Sequence, residues 1–273
     1  MIHNIKHLIS IRDYNIEKLL SGAKSFDPDL LISPIRRNEG EGKIMANLFY
    51  EPSTRTSSSF ASAMFKLGGN VISINDVNYS SVAKGENLRD TIKTMATYAD
   101  IIVLRTKVVN EAKKAAEASN VPIINAGDGN GEHPTQTLAD LYTIQKKFGS
   151  LDDLTVSFIG DISNSRTIHS LDDALPEGTV KHYIDTYDIN KPWPKSDVYY
   201  LTRIQKERGS IGNYKLTKQH VDNMPKESIV LHPFPRNEEI PRWFDSDPRG
   251  KYFEQMKNGL YVRMAILVES LKS

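Results

Sequence analysis

Residues 44–69 read IMANLFYEPSTRTSSSFASAMFKLGG, and the way this stretch divides decides how the rest of the chain is read. Ile44–Tyr50 is a short, mostly apolar run of the length a buried parallel strand needs. Glu51 and Pro52 interrupt it. Ser53 is a good N-cap, and Ser53–Leu67 predicts a helix that stops at Gly68 and Gly69. The same alternation continues downstream. Further strands are predicted at Asn70–Ile74, Asp100–Arg105, Pro122–Ala126, Thr155–Asp161, Val180–Asp185, Val198–Thr202 and Ser228–His232. Between them, helices are predicted at Leu88–Tyr98, Val108–Glu117, Thr135–Phe148 and Arg166–Ala174. An amphipathic helix near Asp13–Ser25 leads in, and another near Leu260–Leu271 closes the chain. Strand–helix alternation of this kind predicts an α/β fold whose parallel sheets carry helices on both faces.

A chain of 273 residues has room for one large or two small domains. The cluster GDGNGE at Gly127–Glu132 reads as a loop, with Pro134 early in the next helix. It places the junction between a first domain, 1–131, and a second, 132–255. Residues 256–273 then form a C-terminal helix that packs back on the first domain. Lys plus Arg is 35 against 34 Asp plus Glu, a net charge of +1. That balance argues against nucleic-acid binding through bulk charge. The absence of cysteine excludes disulfides, zinc–thiolate sites and thiol nucleophiles. No apolar run approaches the roughly 18 residues of a membrane helix. Met1–Ile11 lacks the apolar core and cleavage site of a signal peptide. The expectation is a soluble cytoplasmic protein with no membrane or nucleic-acid partner.

Five places could carry chemistry. In Glu51-Pro52-Ser53-Thr54-Arg55-Thr56, helix N–H groups, the positive end of the helix dipole, hydroxyls and a guanidinium converge. That combination suits an anion, phosphate best of all. Arg105 ends the strand ADIIVLR, where open α/β sheets bind ligands. His133-Pro134-Thr135-Gln136 opens a helix and offers a donor to a substrate oxygen and an amide. A metal is not expected there: no second His stands at ligand spacing, and Asp128 and Glu132 read as turn residues. Asn78–Glu86 carries Ser80, Ser81 and Lys84 in a polar loop that suits a lid or an arm reaching a neighbouring subunit. Lastly, Arg166, Arg203-Ile204-Gln205 and His232-Pro233-Phe234-Pro235-Arg236 each follow a strand in the second half, and paired arginines match a dicarboxylate. Each place taken alone has a plainer reading as a cap, a turn or a solvated side chain. So many polar groups at carboxyl ends of strands point to a shared ligand.

Together these residues resemble the aspartate carbamoyltransferase family of the aspartate/ornithine carbamoyltransferase superfamily. The segments that carry the resemblance are Phe49–Thr56 (FYEPSTRT), Ser80–Glu86, Ile124–Tyr142 (INAGDGNGEHPTQTLADLY), Thr202–Arg208 (TRIQKER) and His232–Arg236 (HPFPR). They occur in order over nearly the whole chain. The last two, with the absence of cysteine and of the ornithine branch's serine-methionine-glycine signature, place the chain on the aspartate side.

The resemblance implies a carbamoyl-phosphate-binding first domain and an aspartate-binding second domain. It implies transfer of the carbamoyl group of carbamoyl phosphate to L-aspartate, toward pyrimidines, with no cofactor and no metal. By the same resemblance, Ser53, Thr54, Arg55 and Thr56 hold the phosphate. Arg105, His133 and Thr56 polarise the carbonyl oxygen, and Gln136 holds the carbamoyl NH2. Ser80 and Lys84 come from the adjacent subunit of a homotrimer with shared active sites, Lys84 touching both phosphate and aspartate. Arg166, Arg203 and Gln205 take the aspartate carboxylates. The backbone carbonyls of Phe234 and Pro235 orient the amine and the carbamoyl group. The resemblance leaves room for regulatory chains or another pathway enzyme as partners.

Three departures stand out. Thr106 replaces a common His, and Phe234 replaces a Leu or Met. The stretch from His169 to Tyr199 is also short, with Thr186–Pro194 standing where the family has a further helix. Pro192 and Pro194 oppose a helix there. One strand should therefore lose its helical cover, with Trp193 and Tyr187 covering part of the surface. Rival readings are a transcarbamoylase for another amino acid, and a non-catalytic assembly or regulatory subunit.

Overall fold

The computed structural model describes residues 7–30, 38–75, 85–129, 131–185, 191–206, 209–210 and 212–272. The chain divides into two compact units, Met1–Leu138 with Asn258–Ser273, and Ala139–Lys257.

In the first unit the chain runs α1 (Ile16–Lys24), β1 (Ile44–Phe49), α2 (Thr54–Lys66), β2 (Asn70–Ile74), α3 (Leu88–Met95), β3 (Ile101–Thr106), α4 (Glu111–Ala118) and β4 (Ile123–Asp128). The sheet order is β2-β1-β3-β4, with every neighbouring pair parallel. From β1 the chain steps to β2 on one side, then crosses back to β3 on the other. Parallel crossovers are right-handed, so reversing the step reverses the face on which the helix lies. Accordingly Ile92 and Met95 of α3 and Ala115 of α4 share one buried cluster with Ala46, Leu48, Ile102, Leu104 and Ile123. Met45 and Phe49, on the opposite face by strand alternation, are equally buried.

The second unit repeats the plan. Helix α5 (Pro134–Phe148) begins in the first unit and is followed by β5 (Thr155–Gly160), α6 (Arg166–Ala174), β6 (Val180–Asp185), β7 (Val198–Leu201), α7 (Lys218–Asn223) and β8 (Ile229–Leu231). Helix α8 (Tyr252–Leu271) then ends in the first unit, where the Arg263 guanidinium lies 5.4 Å from the Phe60 ring centroid. The order is β6-β5-β7-β8, again all parallel. Both sheets therefore reverse direction at one place, between β1 and β3 and between β5 and β7.

The eight strands read from the sequence are the eight strands of these sheets, with ends shifted by two residues at most. The helices differ more. Ile11–Asp13 forms a 3-10 turn, boxed by Ser10 and Asp13, so α1 starts later than expected. Asn110 is left-handed (φ 68°) and delays α4 to Glu111. Helix α8 starts at Tyr252 rather than Leu260, because exposed Phe253 and Met256 blur its apolar period. Short α7 and the 3-10 turn Arg242–Ser246 were not foreseen. The division of the chain also falls inside α5, between Leu138 and Ala139, rather than in the loop 127–132. A helix can serve two units, and Asp140 is tied to the second by the Tyr200 hydroxyl (2.8 Å) and the Gln255 amide (2.6 Å).

The short crossover from β6 to β7 contains no helix over residues 191–197. By handedness it belongs on the face that α7 covers, and Trp193 fills that place. Its ring is buried and stacks on His220 of α7, with centroids 4.1 Å apart and planes 13° apart. It shares a cluster with Ile184, Tyr199, Val221 and Met224. The cover is partial: Val180, on the Ile184 side of β6, remains 53% exposed. Tyr187 lies outside the described residues.

Candidate active site

The first unit places its polar groups where β1 and β3 part, as the crevice rule for open sheets requires. Ser53 occupies the N-cap position of α2, but its hydroxyl makes no capping bond. Thr54 and Arg55 are exposed on the first turn, while Thr56 is buried. The turn is pinned from below. Asn47, buried in β1, donates to the Ser57 carbonyl (3.2 Å) and hydroxyl (3.0 Å), and that hydroxyl donates to Asn75 (2.9 Å).

Arg105, near the end of β3, is almost fully buried, a position that requires anionic or dipolar partners. One terminal nitrogen lies 3.2 Å from Glu51 Oε2, and the other lies 3.2 Å from His133 Nε2. A guanidinium only donates. His133 Nε2 is therefore the acceptor, and Nδ1 carries the ring proton. Gly127 (φ +121°) makes room for this pair: a Cβ there would lie 3.3 Å from Arg105 and 3.6 Å from the His133 ring. The Arg55 guanidinium is held below its ordinary range, first by burial and then by the charge of Arg105. Two like charges close enough to influence each other, one of them on the first turn of a helix, are the chemistry an anion would relieve.

Asp128 and Glu132, read from the sequence as turn residues, act as tethers. Asp128 accepts from the Asn110 N–H (3.0 Å). Glu132 accepts from the Ser10 hydroxyl (2.7 Å) and the Ile11 N–H (2.8 Å), fastening the N-terminal segment beside His133. Among the described residues no cluster could hold a metal ion. Thr106 is buried and donates to the Val108 carbonyl (3.1 Å). Gln136 is partly buried on the first turn of α5, two positions beyond Pro134. Ser80 and Lys84 lie outside the described residues.

In the second unit the matching place is where β5 and β7 part. Gly160 (φ +122°) ends β5 so close to the Thr202 carbonyl that a Cβ would overlap it. Asp161 then joins the two loops. It accepts from the Gln205 N–H (3.1 Å), the Asn164 amide (3.1 Å) and the Ser210 hydroxyl. Arg166, partly exposed, opens α6 behind its N-cap Ser165. Arg203, also partly exposed, follows β7. The Gln205 side chain donates to the Asn164 carbonyl (2.7 Å), so its amide N–H braces the loop that leads to Arg166.

Beyond β8, Phe234 is left-handed (φ 56°), and its peptide to Pro235 is cis. Its N–H donates to His232 Nδ1 (2.9 Å), and His232 Nε2 lies 2.9 Å from Glu239. Arg236 pairs with Asp245 and lies over the rings of Tyr252 and Phe253, a bracing role within the unit. Sequence reasoning missed Glu51, Asp161 and the His232–Glu239 pair. Glu51 stands directly after a predicted strand and Asp161 closes one, a signal that could have marked them.

The family described as aspartate/ornithine carbamoyltransferase, carbamoyl-P binding domain, matches residues 6–146, and its Asp/Orn binding domain matches residues 186–269. The chain belongs to this family. Residues 147–185, with β5, α6 and β6, lie outside both matches.

An aspartate carbamoyltransferase catalytic subunit from Thermoplasma acidophilum is 41% identical, over 97% of this chain and 98% of its own. That alignment spans 302 positions, more than the 273 residues here, so the relative carries segments this chain lacks. The catalytic subunit of M. jannaschii aspartate transcarbamoylase superposes with a TM-score of 0.86 at 41% identity, covering 98% of both chains. The Trypanosoma cruzi enzyme in complex with N-(phosphonacetyl)-L-aspartic acid gives 0.83 at 36% identity, covering 97% of this chain and 94% of that one. A relative from Arabidopsis thaliana is described as chloroplastic. No helix among the described residues is long and apolar enough to cross a membrane.

Proposed function

We propose that the chain transfers the carbamoyl group of carbamoyl phosphate to the amine of L-aspartate, giving carbamoyl aspartate and phosphate, and that the residues above divide the work as follows. The observation that carries the reading is the arrangement at the end of β3. There Arg105 meets His133 and Glu51 at 3.2 Å each, with the Arg55 charge close enough to repel it. Ser53, Thr54, Arg55 and Thr56 take the phosphate on the first turn of α2. Arg105, His133 and Thr56 face the carbonyl oxygen, and Gln136 takes the carbamoyl NH2. Arg166, Arg203 and Gln205 take the two carboxylates of aspartate, and the Phe234 and Pro235 carbonyls accept from N–H groups.

The uncharged α-amine adds to the carbonyl carbon, and charge collects on the carbonyl oxygen. The carbon–oxygen bond to phosphate then breaks, and the phosphate takes the amine's proton. Donors that meet both developing charges lower the barrier without a nucleophilic side chain. The reaction feeds pyrimidine synthesis. The working assembly is a homotrimer in which Ser80 and Lys84 serve the neighbouring subunit's site.

A steady-state assay of carbamoyl aspartate formation tests the reading, with L-ornithine as the parallel substrate. Turnover with aspartate alone is expected. Turnover with ornithine would move the assignment to another amino acid. Folded protein that turns over neither would be an assembly subunit.

A further inference from the structure

We propose that His232 is a positioning residue that aims the Phe234 and Pro235 carbonyls through one fixed imidazole tautomer, an inference that rests on the function proposed above. A backbone carbonyl is useful as an acceptor only if its direction is fixed, and the loop after β8 is a poor place to fix one. Phe234 sits at φ 56°, a region that a residue with a Cβ does not hold unaided.

The imidazole of His232 supplies the restraint. Its side chain is fully buried. Nδ1 accepts the Phe234 N–H at 2.9 Å, so that nitrogen bears no proton. The proton is then on Nε2, which donates to Glu239 Oε1 at 2.9 Å. The Asn237 N–H donates to the same carboxylate oxygen at 2.9 Å. Burial raises the Glu239 pKa, but the bonds from His232, Asn237 and its own backbone, with the attraction of His232, together hold the group below its usual range, so it stays an acceptor.

The ring cannot drift, because the residue is held at its backbone as well. Its N–H donates to Gln255 Oε1 (3.0 Å), and the Gln255 amide donates to Asp140, which also accepts from the Tyr200 hydroxyl. Nothing in this chain of bonds touches a reacting atom. It ends at the one N–H that sets the turn at Phe234.

Two substitutions separate the two ring nitrogens. His232→Asn places an amide oxygen near the position of Nδ1 and keeps an acceptor for Phe234. His232→Gln places an amide nitrogen near the position of Nε2 and keeps the donor to Glu239, but loses that acceptor. Wild type, His232→Asn and His232→Gln are compared for kcat, for KM of both substrates and for melting temperature. The Asn variant is expected to stay within about fivefold of wild-type kcat, the scale of one altered neutral hydrogen bond. The Gln variant is expected to lose about 100-fold in kcat, as a misaimed reacting group does, with the carbamoyl phosphate KM unchanged.

Equal losses in the two variants, tracking their melting temperatures, would overturn the proposal in favour of a structural role. So would a fully active Gln variant. If His232→Gln does not fold, Glu239→Gln replaces it. That change keeps the imidazole but replaces the charged acceptor of its Nε2–H by a neutral one, and a loss of about fivefold or more in kcat is expected. Unchanged kcat there would also overturn the proposal. A wild type inactive with aspartate would instead be a failure of the proposed function.

Discussion

Removing the Arg105 guanidinium should separate chemistry from stability. Its carboxylate partner, Glu51, is 27% exposed at the side chain, while Arg105 is 9% exposed. Glu51 keeps some contact with water and the repulsion from Arg55 is relieved, so Arg105→Ala should cost about 1 kcal/mol of stability, less than breaking a fully buried pair. For a unit of this size that is a shift of about 2–4 °C in melting temperature. The catalytic effect should be much larger. A preorganised donor facing a developing oxyanion contributes about 2.7–4 kcal/mol, so kcat should fall by about 100- to 1,000-fold.

A second readout comes from Arg55. With Arg105 absent, the repulsion that lowers the Arg55 pKa disappears, but the phosphate also loses a cation. Inorganic phosphate, which should raise the melting temperature of the wild type, should protect the variant less. Arg105→Lys keeps a charge but cannot reach Glu51 and His133 together, and should recover phosphate protection better than kcat. The assays are steady-state carbamoyl aspartate formation and thermal melting with and without phosphate. A variant that keeps kcat within tenfold of wild type and full phosphate protection would refute the assignment of Arg105.

Three further outcomes are expected. Trp193→Ala should destabilise the second unit by about 3–5 kcal/mol, the range for a buried aromatic truncated to a methyl. A urea midpoint unchanged from wild type would show that Trp193 does not replace the missing helical cover. The His220 pKa is lowered by burial from its ordinary 6.5, and its Nδ1 accepts from the Thr217 N–H (3.3 Å). The folded protein therefore prefers neutral His220. Its contribution is complete above the unfolded pKa and is lost as pH falls through the lower folded value, so His220→Phe should flatten the fall of the urea midpoint below the ordinary His pKa of 6.5. Finally, inactive Lys84→Ala and Arg105→Ala proteins, dissociated and reassembled together, should regain about one-quarter of wild-type activity by random assortment in a trimer with shared sites. No recovery would argue that each subunit works alone.

Much of the fold was legible because buried parallel strands are short and apolar and are bounded by polar turns. Ile101–Thr106 and Ile229–Leu231 are buried throughout and cannot be mistaken for surface. The strand–turn–helix setting of the proposed anion site was legible for the same local reason, since PSTRT follows a strand and opens a helix. Helix α8 was read short because apolar Phe253 and Met256 are exposed, which no periodicity reveals. Glu51 and Asp161 were passed over because their roles lie in partners distant in sequence: Arg105 for Glu51, and Gln205 and Ser210 for Asp161.

The sequence by itself determined the strand–helix alternation, the parallel α/β class, the family and the residue types proposed to meet substrate, because each of these is written in contiguous residues. The tertiary structure alone decided the strand order. That order places the reversal of each sheet between its first and third strands, and so brings Arg105 beside Glu51 and His133, and Gln205 beside Asp161. It also decided that Trp193 stacks on His220 where the described part of the crossover forms no helix, and that the imidazole of His232 holds Phe234 in a left-handed turn. The physical reason is the same in each case. Crossover handedness and strand pairing are properties of the packed sheet, so the partner of a buried charge or ring is set by topology and not by its neighbours in the chain.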